Sequence, residues 1–119
     1  MATTVVIVDD HAGFRGMAWR MLEDAGFDVV GEASDGESAL VAVARLNPQL
    51  VLLDIQLPDI NGFAVARRLA EVSTETVVVL TSSRSASDYG SRLAHSPARG
   101  FISKAELSGP VLVDLLGAA

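Results

Sequence analysis

The stretch 51-VLLDIQLPDINGF-63 carries an apolar run directly into an aspartate, Asp54, and follows it with a constrained backbone. Pro58 lies four positions later, and Asn61 with Gly62 forms a dipeptide that is typical of turns. A continuous apolar run of this length suits a strand that is covered on both faces, as in a parallel sheet. The stretch therefore predicts a buried strand whose carboxyl end presents Asp54.

The same pattern recurs along the chain. Apolar runs lie at 5–8 (VVIV) and 77–80 (VVVL), while the weaker runs 27–33 (FDVVGEA) and 100–103 (GFIS) indicate an edge strand and a short final strand. With the run at 50–53, they predict five strands. Helices are predicted between and after them, so the chain alternates strand and helix, which is typical of an α/β fold with a parallel sheet.

Apolar residues with helical spacing predict where the helices lie. The residues that define them are Phe14, Ala18, Met21, Leu22 and Ala25; Ala39, Leu40, Val43 and Leu46; Val65, Leu69 and Val72; and Leu107, Val111, Leu112, Leu115 and Leu116. Gly26 is expected to end the first helix, and Asn47-Pro48 the second. The segment 84–96 is polar and rich in serine, so a helix there is only weakly predicted.

Composition limits the classes of function. The 119 residues, half of them hydrophobic, suit one domain over 1–119. Fifteen acidic residues against nine basic ones give a net charge of -6, which argues against direct binding to nucleic acid. The absence of cysteine excludes disulfides and thiolate metal sites. No apolar run is long enough to cross a membrane and no secretory signal is recognisable, so we expect a cytoplasmic location.

Polar residues follow four of the predicted strands at the point where each strand ends. They are Asp9 and Asp10, Asp54, Thr81, and Lys104, the only lysine in the chain. Taken singly, each has an ordinary explanation as a helix cap, a turn residue or a surface charge. Because the carboxyl ends of parallel strands meet at one edge of a sheet, where ligands bind, together they predict a shared cleft.

Three carboxylates gathered in one cleft would repel one another unless a cation joined them. Magnesium prefers oxygen ligands and keeps several waters, so carboxylates and a backbone carbonyl would suit it. Zinc is disfavoured because only His11 lies close to the acids in the sequence, and we interpret His11 as a helix-start residue. A magnesium ion held by few protein groups typically works on phosphate, for which Lys104 and Thr81 offer a cation and a hydroxyl.

These residues carry a resemblance to a known family. The segments VDDH (8–11), DIQLPDINGF (54–63), LTS (80–82) and GFISK (100–104) resemble the CheY-like receiver domain of two-component response regulators, over essentially the whole chain. The stretch VDDHAGFRGMAWRML (8–22) further resembles the subgroup that carries a helix-turn-helix output domain. The resemblance implies a flavodoxin-like, doubly wound fold with five parallel strands in the order 2-1-3-4-5 and helices on both faces.

The resemblance also implies a metal site and a phosphoacceptor. Asp54 would be phosphorylated. Asp10 and Asp54 would bind Mg²⁺ directly, together with the backbone carbonyl of Gln56, and Asp9 would contribute through water. Pro58 and the Asn61-Gly62 turn would shape the loop that presents the phosphoacceptor.

The remaining site residues are implied in the same way. Thr81 would form a hydrogen bond with the phosphoryl group and Lys104 would pair with it. Thr81 would also take part in switching, because its movement would free space for the aromatic ring of Phe101. Such a domain promotes only its own phosphorylation and dephosphorylation, and is not otherwise an enzyme.

The resemblance further implies partners. A sensor histidine kinase would supply the phosphoryl group, and a homodimer is compatible with it. Contact with a membrane is not expected. We expect the chain to be part of a longer regulator, in which a C-terminal domain absent from these 119 residues would bind DNA and control transcription.

Three other functions make different demands on the sequence. A receiver fold could serve as an interaction module without phosphorylation, although it would not need the acids or the lysine. Phosphohydrolases of the haloacid dehalogenase type need a second aspartate two positions after the first, where this chain has Gln56. A flavodoxin would need a Ser/Thr/Gly-rich phosphate loop after the first strand, where this chain has DDHAGF (9–14).

Overall fold

The computed structural model describes residues 2–73 and 75–117. Its strands are β1 (Thr4–Val8), β2 (Asp28–Ala33), β3 (Leu50–Asp54), β4 (Val77–Ser82) and β5 (Gly100–Ser103). Its helices are α1 (Ala12–Asp24), α2 (Gly36–Leu46), α3 (Gly62–Val72), α4 (Ser91–Ala94) and α5 (Gly109–Gly117), with a 3-10 turn at Ala86–Asp88. Within these described ranges, every helix is too short or too polar to span a lipid bilayer.

The strands form one parallel sheet in the order β2-β1-β3-β4-β5, which confirms the predicted fold class and strand order. The central strands are apolar throughout because alternate side chains enter two different cores. In β1, Val6 and Val8 pack towards α2 and α3, whereas Val5 and Ile7 pack towards α1 and α5. Each such side chain contributes roughly 1.5–3 kcal/mol when it is fully buried.

The predicted helix ends after α1 and α2 are confirmed. Gly26 adopts a φ of +94°, and its N–H donates to the carbonyl of Glu23 while the N–H of Phe27 donates to that of Leu22. This pair of bonds is the Schellman arrangement, which favours glycine at the left-handed position. At the end of α2, Asn47 adopts the left-handed conformation, immediately before Pro48.

The structure differs from the predicted helices in two places. Instead of one helix, 84–96 holds the 3-10 turn and the four-residue α4, separated by Gly90 at a φ of +56°. A segment with so few apolar residues gains little from packing a continuous helix. Leu107 lies before α5 rather than in it, because the side chain of Ser108 accepts a bond from the N–H of Val111 and so caps the helix.

Candidate functional site

Acidic side chains meet at the carboxyl edge of the sheet, where the neighbouring strands β1 and β3 end. Asp9, Asp10, His11 and Asp54 each offer one ligand atom, and these atoms all lie within 4.8 Å of one another. Asp9 and Asp54 are buried, whereas Asp10 and His11 reach the surface. The structure therefore brings together the three carboxylates that the sequence places at the ends of two separate strands.

Asp54 is held at the end of β3 by its neighbours. Its Oδ1 accepts a bond of 3.2 Å from the backbone N–H of Gln56, and in the sheet it lies opposite Thr81. Burial, and then the charge of Asp9, raise the pKa of Asp54 to about 6, although the Gln56 N–H and Lys104 act in the opposite direction. A buried carboxyl beside a second carboxylate resists ionisation. A nearby cation would favour the ionised form and so lower the pKa.

Lys104 joins the acids from the end of β5. Its Nζ lies 2.6 Å from Oδ2 of Asp9 and 3.5 Å from Oδ2 of Asp54, and its side chain is 17% exposed. The same ammonium lies over the ring of Phe14, 4.4 Å from the ring centroid. Asp9 Oδ2 has no partner with hydrogen-bond geometry in the described residues, so its contact with Lys104 is an ion pair.

Thr81 and Ser82, at the end of β4, point to opposite faces of the sheet because side chains alternate along a strand. The Oγ1 of Thr81 is buried and has no hydrogen-bond partner among the described residues. The Oγ of Ser82 lies 2.5 Å from the hydroxyl of Tyr89 on the other face. One peptide bond thus connects the acidic pocket with a buried contact of the segment that follows β4.

An aromatic cluster surrounds that contact. The ring of Tyr89 packs edge-on against Phe63 and Phe101, with centroid distances of 5.7 and 6.0 Å. The guanidinium of Arg92 lies over the ring of Phe63, 4.5 Å from the ring centroid. Phe101 is half-buried in this cluster rather than in the acidic pocket.

The loop between Asp54 and α3 is fixed at several points. The N–H of Gly62 donates to the carbonyl of Ile55 at 2.7 Å, and a Cβ at Gly62 would lie 2.5 Å from the carbonyl oxygen of Asp54. The side chain of Asn61 caps α3 through the N–H of Ala64. Glycine is therefore required at position 62 by the close approach of the backbone that carries Asp54.

Two predicted residues lie at the rim of the site. His11 stands at the start of α1, as predicted: its N–H donates to Oδ1 of Asp9, and its Nδ1 lies 3.2 Å from Asp9 and 3.0 Å from Asp10. Gln56 is exposed beside Asp54, and its predicted role as a carbonyl ligand of a metal stays a prediction.

Several residues of the site were not predicted from the sequence. Tyr89 was missed because it lies in a polar segment, although a lone aromatic residue there was a usable signal. Arg15 donates from its Nη1 to the backbone carbonyl of Asp9 and pairs with Glu32. Phe14 was predicted only as a core residue of α1. Phe14 meets Lys104, and Arg15 meets Glu32, across long stretches of the chain. The shorter contacts also depend on packing that no local pattern encodes.

The chain is similar to known proteins in both sequence and fold. The family model of the response regulator receiver domain matches residues 5–114. The chain is 35% identical over 101 residues to the response regulator GacA of Pseudomonas protegens, covering 84% of this chain and 47% of GacA. It is 32% identical over 111 residues to the transcriptional regulatory protein DegU of Brevibacillus brevis, covering 92% of this chain and 47% of DegU.

Among solved structures, the signal receiver domain of the response regulator NarL from Mycobacterium tuberculosis superposes with a TM-score of 0.85. It is 31% identical in sequence, and the match covers 98% of both chains. The chain spans about half the length, or less, of the curated relatives it matches.

Proposed function

Because the chain belongs to the response regulator receiver domain family, we propose that it is the phosphorylation-dependent switch of a two-component system, with Asp54 as the phosphoacceptor. In this proposal a sensor histidine kinase supplies the phosphoryl group from a phosphohistidine. The relatives GacA and DegU are named as a response regulator and a transcriptional regulatory protein, which supports transcription as the controlled process.

One observation carries the proposal: an acidic nucleophile, an ammonium and a hydroxyl with no hydrogen-bond partner in residues 2–73 and 75–117 stand at the ends of the neighbouring strands β3, β5 and β4. Asp54 lies opposite Thr81 in the sheet, and Lys104 Nζ lies 3.5 Å from its carboxylate. A buried polar group without a partner costs free energy, so the Oγ1 of Thr81 is expected to find an acceptor in another state of the protein. Phosphoryl oxygens attached to Asp54 would supply that acceptor.

The acidic cluster fits a magnesium ion. Asp10 and Asp54, together with the backbone carbonyl of Gln56, would bind it directly, and Asp9 would contribute through water; the clustered carboxylate oxygens suit a hard cation. When bound, magnesium would offset negative charge on the transferring phosphoryl group. His11 brings a ring nitrogen to the same cluster, but the oxygen-rich donor set favours magnesium over zinc.

The chain's own residues would carry the transfer as follows. An oxygen of Asp54 forms a bond to phosphorus as the P–N bond of the phosphohistidine breaks. The bonding electron pair remains on the imidazole nitrogen, which takes up a proton. Lys104 offsets the charge of the three equatorial oxygens in the transition state, and Thr81 donates its hydroxyl hydrogen to one of them in the product.

The conformational change that we propose to follow phosphorylation begins at β4, which carries Thr81. At neutral pH the acyl phosphate carries roughly -1.5 to -2 charges where the carboxylate carried one at most, and this charge would draw Thr81 towards it. Because Ser82 follows directly on the opposite face, a shift of β4 would disturb its contact with Tyr89 and the packing of Phe101. The segment 83–96 would then change its population of conformations, which is how a local charge becomes a surface signal.

In this proposal the control of transcription belongs to another part of a longer protein. We propose that a DNA-binding domain outside residues 1–119 responds to the receiver, and that the receiver catalyses no reaction on a separate substrate. The cytoplasmic location and homodimer formation stay predictions. The reading frame beyond Ala119 tests the assignment, because a basic helix-turn-helix region there would support it and a stop codon would contradict it.

Incubation with acetyl phosphate and Mg²⁺, followed by intact-mass measurement, tests the phosphoacceptor. The wild type is expected to gain the mass of one phosphoryl group, and Asp54→Ala is expected to gain none. Asp114→Ala, which removes an exposed acid from α5, is the matched control and should behave like the wild type. An unmodified wild type would favour the interaction module instead, and an undiminished gain on Asp54→Ala would assign the phosphoryl group to another residue.

A further inference from the structure

Lys104 is held by three contacts of two kinds. Two are ion pairs, with Asp9 at 2.6 Å and Asp54 at 3.5 Å. The third is the face of the Phe14 ring, 4.4 Å from the ammonium. A lysine side chain has four flexible carbons and loses about 2 kcal/mol of rotamer entropy when it is fixed, so these contacts decide where the charge stands.

The two ion pairs would change during the proposed cycle of phosphorylation and dephosphorylation of Asp54. Asp54 becomes an acyl phosphate, and Asp9 belongs to the carboxylate cluster that fits a cation. Each carboxylate therefore changes the charge it presents to Lys104. The ring of Phe14 takes part in neither change, and its attraction for a cation comes from the ring quadrupole.

Phe14 is well placed to act as a fixed support. It lies in the first turn of α1, and its half-buried side chain packs on the core between the sheet and helices α1 and α5. The backbone around it is tied to the acids, because the next residue, Arg15, donates from its side chain to the backbone carbonyl of Asp9 at 2.7 Å. The ring thus faces the pocket from an element that is itself anchored at the pocket.

We propose that Phe14 is a positioning residue that holds the Lys104 ammonium beside Asp54 before and after phosphoryl transfer. This inference rests on the proposed function. During transfer an Asp54 oxygen bonds to phosphorus as the bond to the leaving group breaks, and the leaving group keeps the electron pair. Phe14 touches none of these atoms and acts through Lys104.

A role in packing alone makes a different prediction. Leucine at position 14 keeps an apolar side chain against the core but lacks the ring quadrupole, whereas tyrosine keeps the ring. Packing alone would leave Lys104 and the phosphorylation rate unchanged in Phe14→Leu. Phe27→Leu is the matched control, because Phe27 is another half-buried phenylalanine on the same side of the sheet and lies against the end of α1.

The single lysine makes the geometry measurable. In protein grown with isotope-labelled lysine, all lysine side-chain signals in NMR come from Lys104, and the signal of its Cε protons reports the position of the ammonium. Protons above an aromatic ring are shielded, so the signal of the wild type should lie upfield and move downfield in Phe14→Leu. It should stay upfield in Phe14→Tyr and Phe27→Leu. An unchanged lysine signal in Phe14→Leu would overturn the inference.

The kinetic test uses the initial rate of phosphorylation by acetyl phosphate with Mg²⁺. Phe14→Leu is expected to be slower by about threefold to tenfold, in keeping with the strength of a partly buried cation–π contact. Phe14→Tyr and Phe27→Leu should keep the wild-type rate. Equal rates for Phe14→Leu and the wild type would overturn the inference and leave the proposed function standing, whereas failure of the wild type itself to react would contradict the proposed function.

Discussion

Two connections leave the same edge of the sheet and are held in very different ways. Residues 55–61, after β3, are tied to distant parts of the chain: Asp59 accepts bonds of 2.8 and 2.9 Å from the N–H groups of Gly36 and Glu37 at the start of α2. Residues 83–96, after β4, are mostly exposed, and the hydrogen bonds described for 85–96 all end within seven residues along the chain.

In the proposed function the two connections have different roles. The first connection presents Asp54, and its backbone must keep one geometry for the acids to converge. In the second connection Tyr89 is the one buried residue between 83 and 96, and its hydroxyl contact with Ser82 joins the segment to β4. Low packing and local hydrogen bonds are the features of segments that open easily. We therefore expect substitutions in the first connection to affect the whole fold and those in the second to act locally.

The largest expected effect comes from Gly62→Ala. The new Cβ would lie 2.5 Å from the carbonyl oxygen of Asp54 and 2.7 Å from Cα of Ile55, and backbone atoms cannot move aside cheaply. We expect the free energy of unfolding to fall by about 3 kcal/mol, measured by urea denaturation. Gly16→Ala, at an open position in α1, is the control and should stabilise the fold by up to about 1 kcal/mol. Equal effects at both positions would contradict the tight fit at Gly62.

The next effect is a gain in the free energy of unfolding, and it concerns the replacement of Asp54 in metal-free protein. The native carboxyl keeps its proton up to a pKa of about 6, whereas the ordinary value is 3.8. The unfolded state therefore binds fewer protons between these values, so the wild type loses stability as the pH rises through this window. We expect Asp54→Asn to be more stable than the wild type by on the order of 2 kcal/mol above pH 6.

Urea denaturation in a chelating buffer at pH 4 and pH 7.5 measures this difference. The advantage of Asp54→Asn should be small at the lower pH and full at the higher one. An equal gain in the free energy of unfolding at both pH values would show that the buried charge of Asp54 is not its cause.

A smaller, local effect is expected from Tyr89→Phe. The variant keeps the ring between Phe63 and Phe101 but removes the hydroxyl that contacts Ser82. A net hydrogen bond contributes about 1 kcal/mol, so hydrogen exchange of amides in 85–96 should become about fivefold faster. Amides of β3 should keep their wild-type exchange rates. Faster exchange in β3 as well would mean that the two connections are not independent.

The double variant Ser82→Ala/Tyr89→Phe sharpens this result. The Oγ of Ser82 also accepts a bond of 3.0 Å from the N–H of Arg84, so Ser82→Ala has an effect of its own. Because the two hydroxyls share one contact, the double variant should lower the free energy of opening by less than the sum of the effects of the two single variants. Additive acceleration would show that each hydroxyl acts through some other contact.

The smallest effect concerns Asp59, which is exposed. Its bonds from the N–H groups of Gly36 and Glu37 lower its pKa from 3.8 to about 2. Its stabilising contribution is therefore complete above pH 3.8 and is lost as the pH falls towards 2. The Tm of the wild type should exceed that of Asp59→Asn slightly at pH 6, and the gap should close near pH 2. Asp114→Asn is the control, and a gap that persists at pH 2 would contradict a role for the charge.

Much of the fold follows from local patterns. The continuous apolar runs predicted the three central strands because strands that are covered on both faces have no polar side, and Gly26 and Asn47-Pro48 marked helix ends through their backbone preferences. The segment 84–96 was harder to predict, because its short turns depend on packing around Tyr89 rather than on periodicity.

For the candidate site, local patterns in the sequence identify the groups that stand at the ends of strands: Asp9, Asp10, Asp54, Thr81 and Lys104. The rule that parallel strands end at one edge was enough to bring them to the same cleft. The folded chain was needed to show that Lys104 lies closer to Asp9 than to Asp54, that Phe14 faces its ammonium, and that Ser82 contacts Tyr89. Such contacts depend on distances of a few ångströms between side chains, and the packing of the folded chain, which no local pattern encodes, sets those distances.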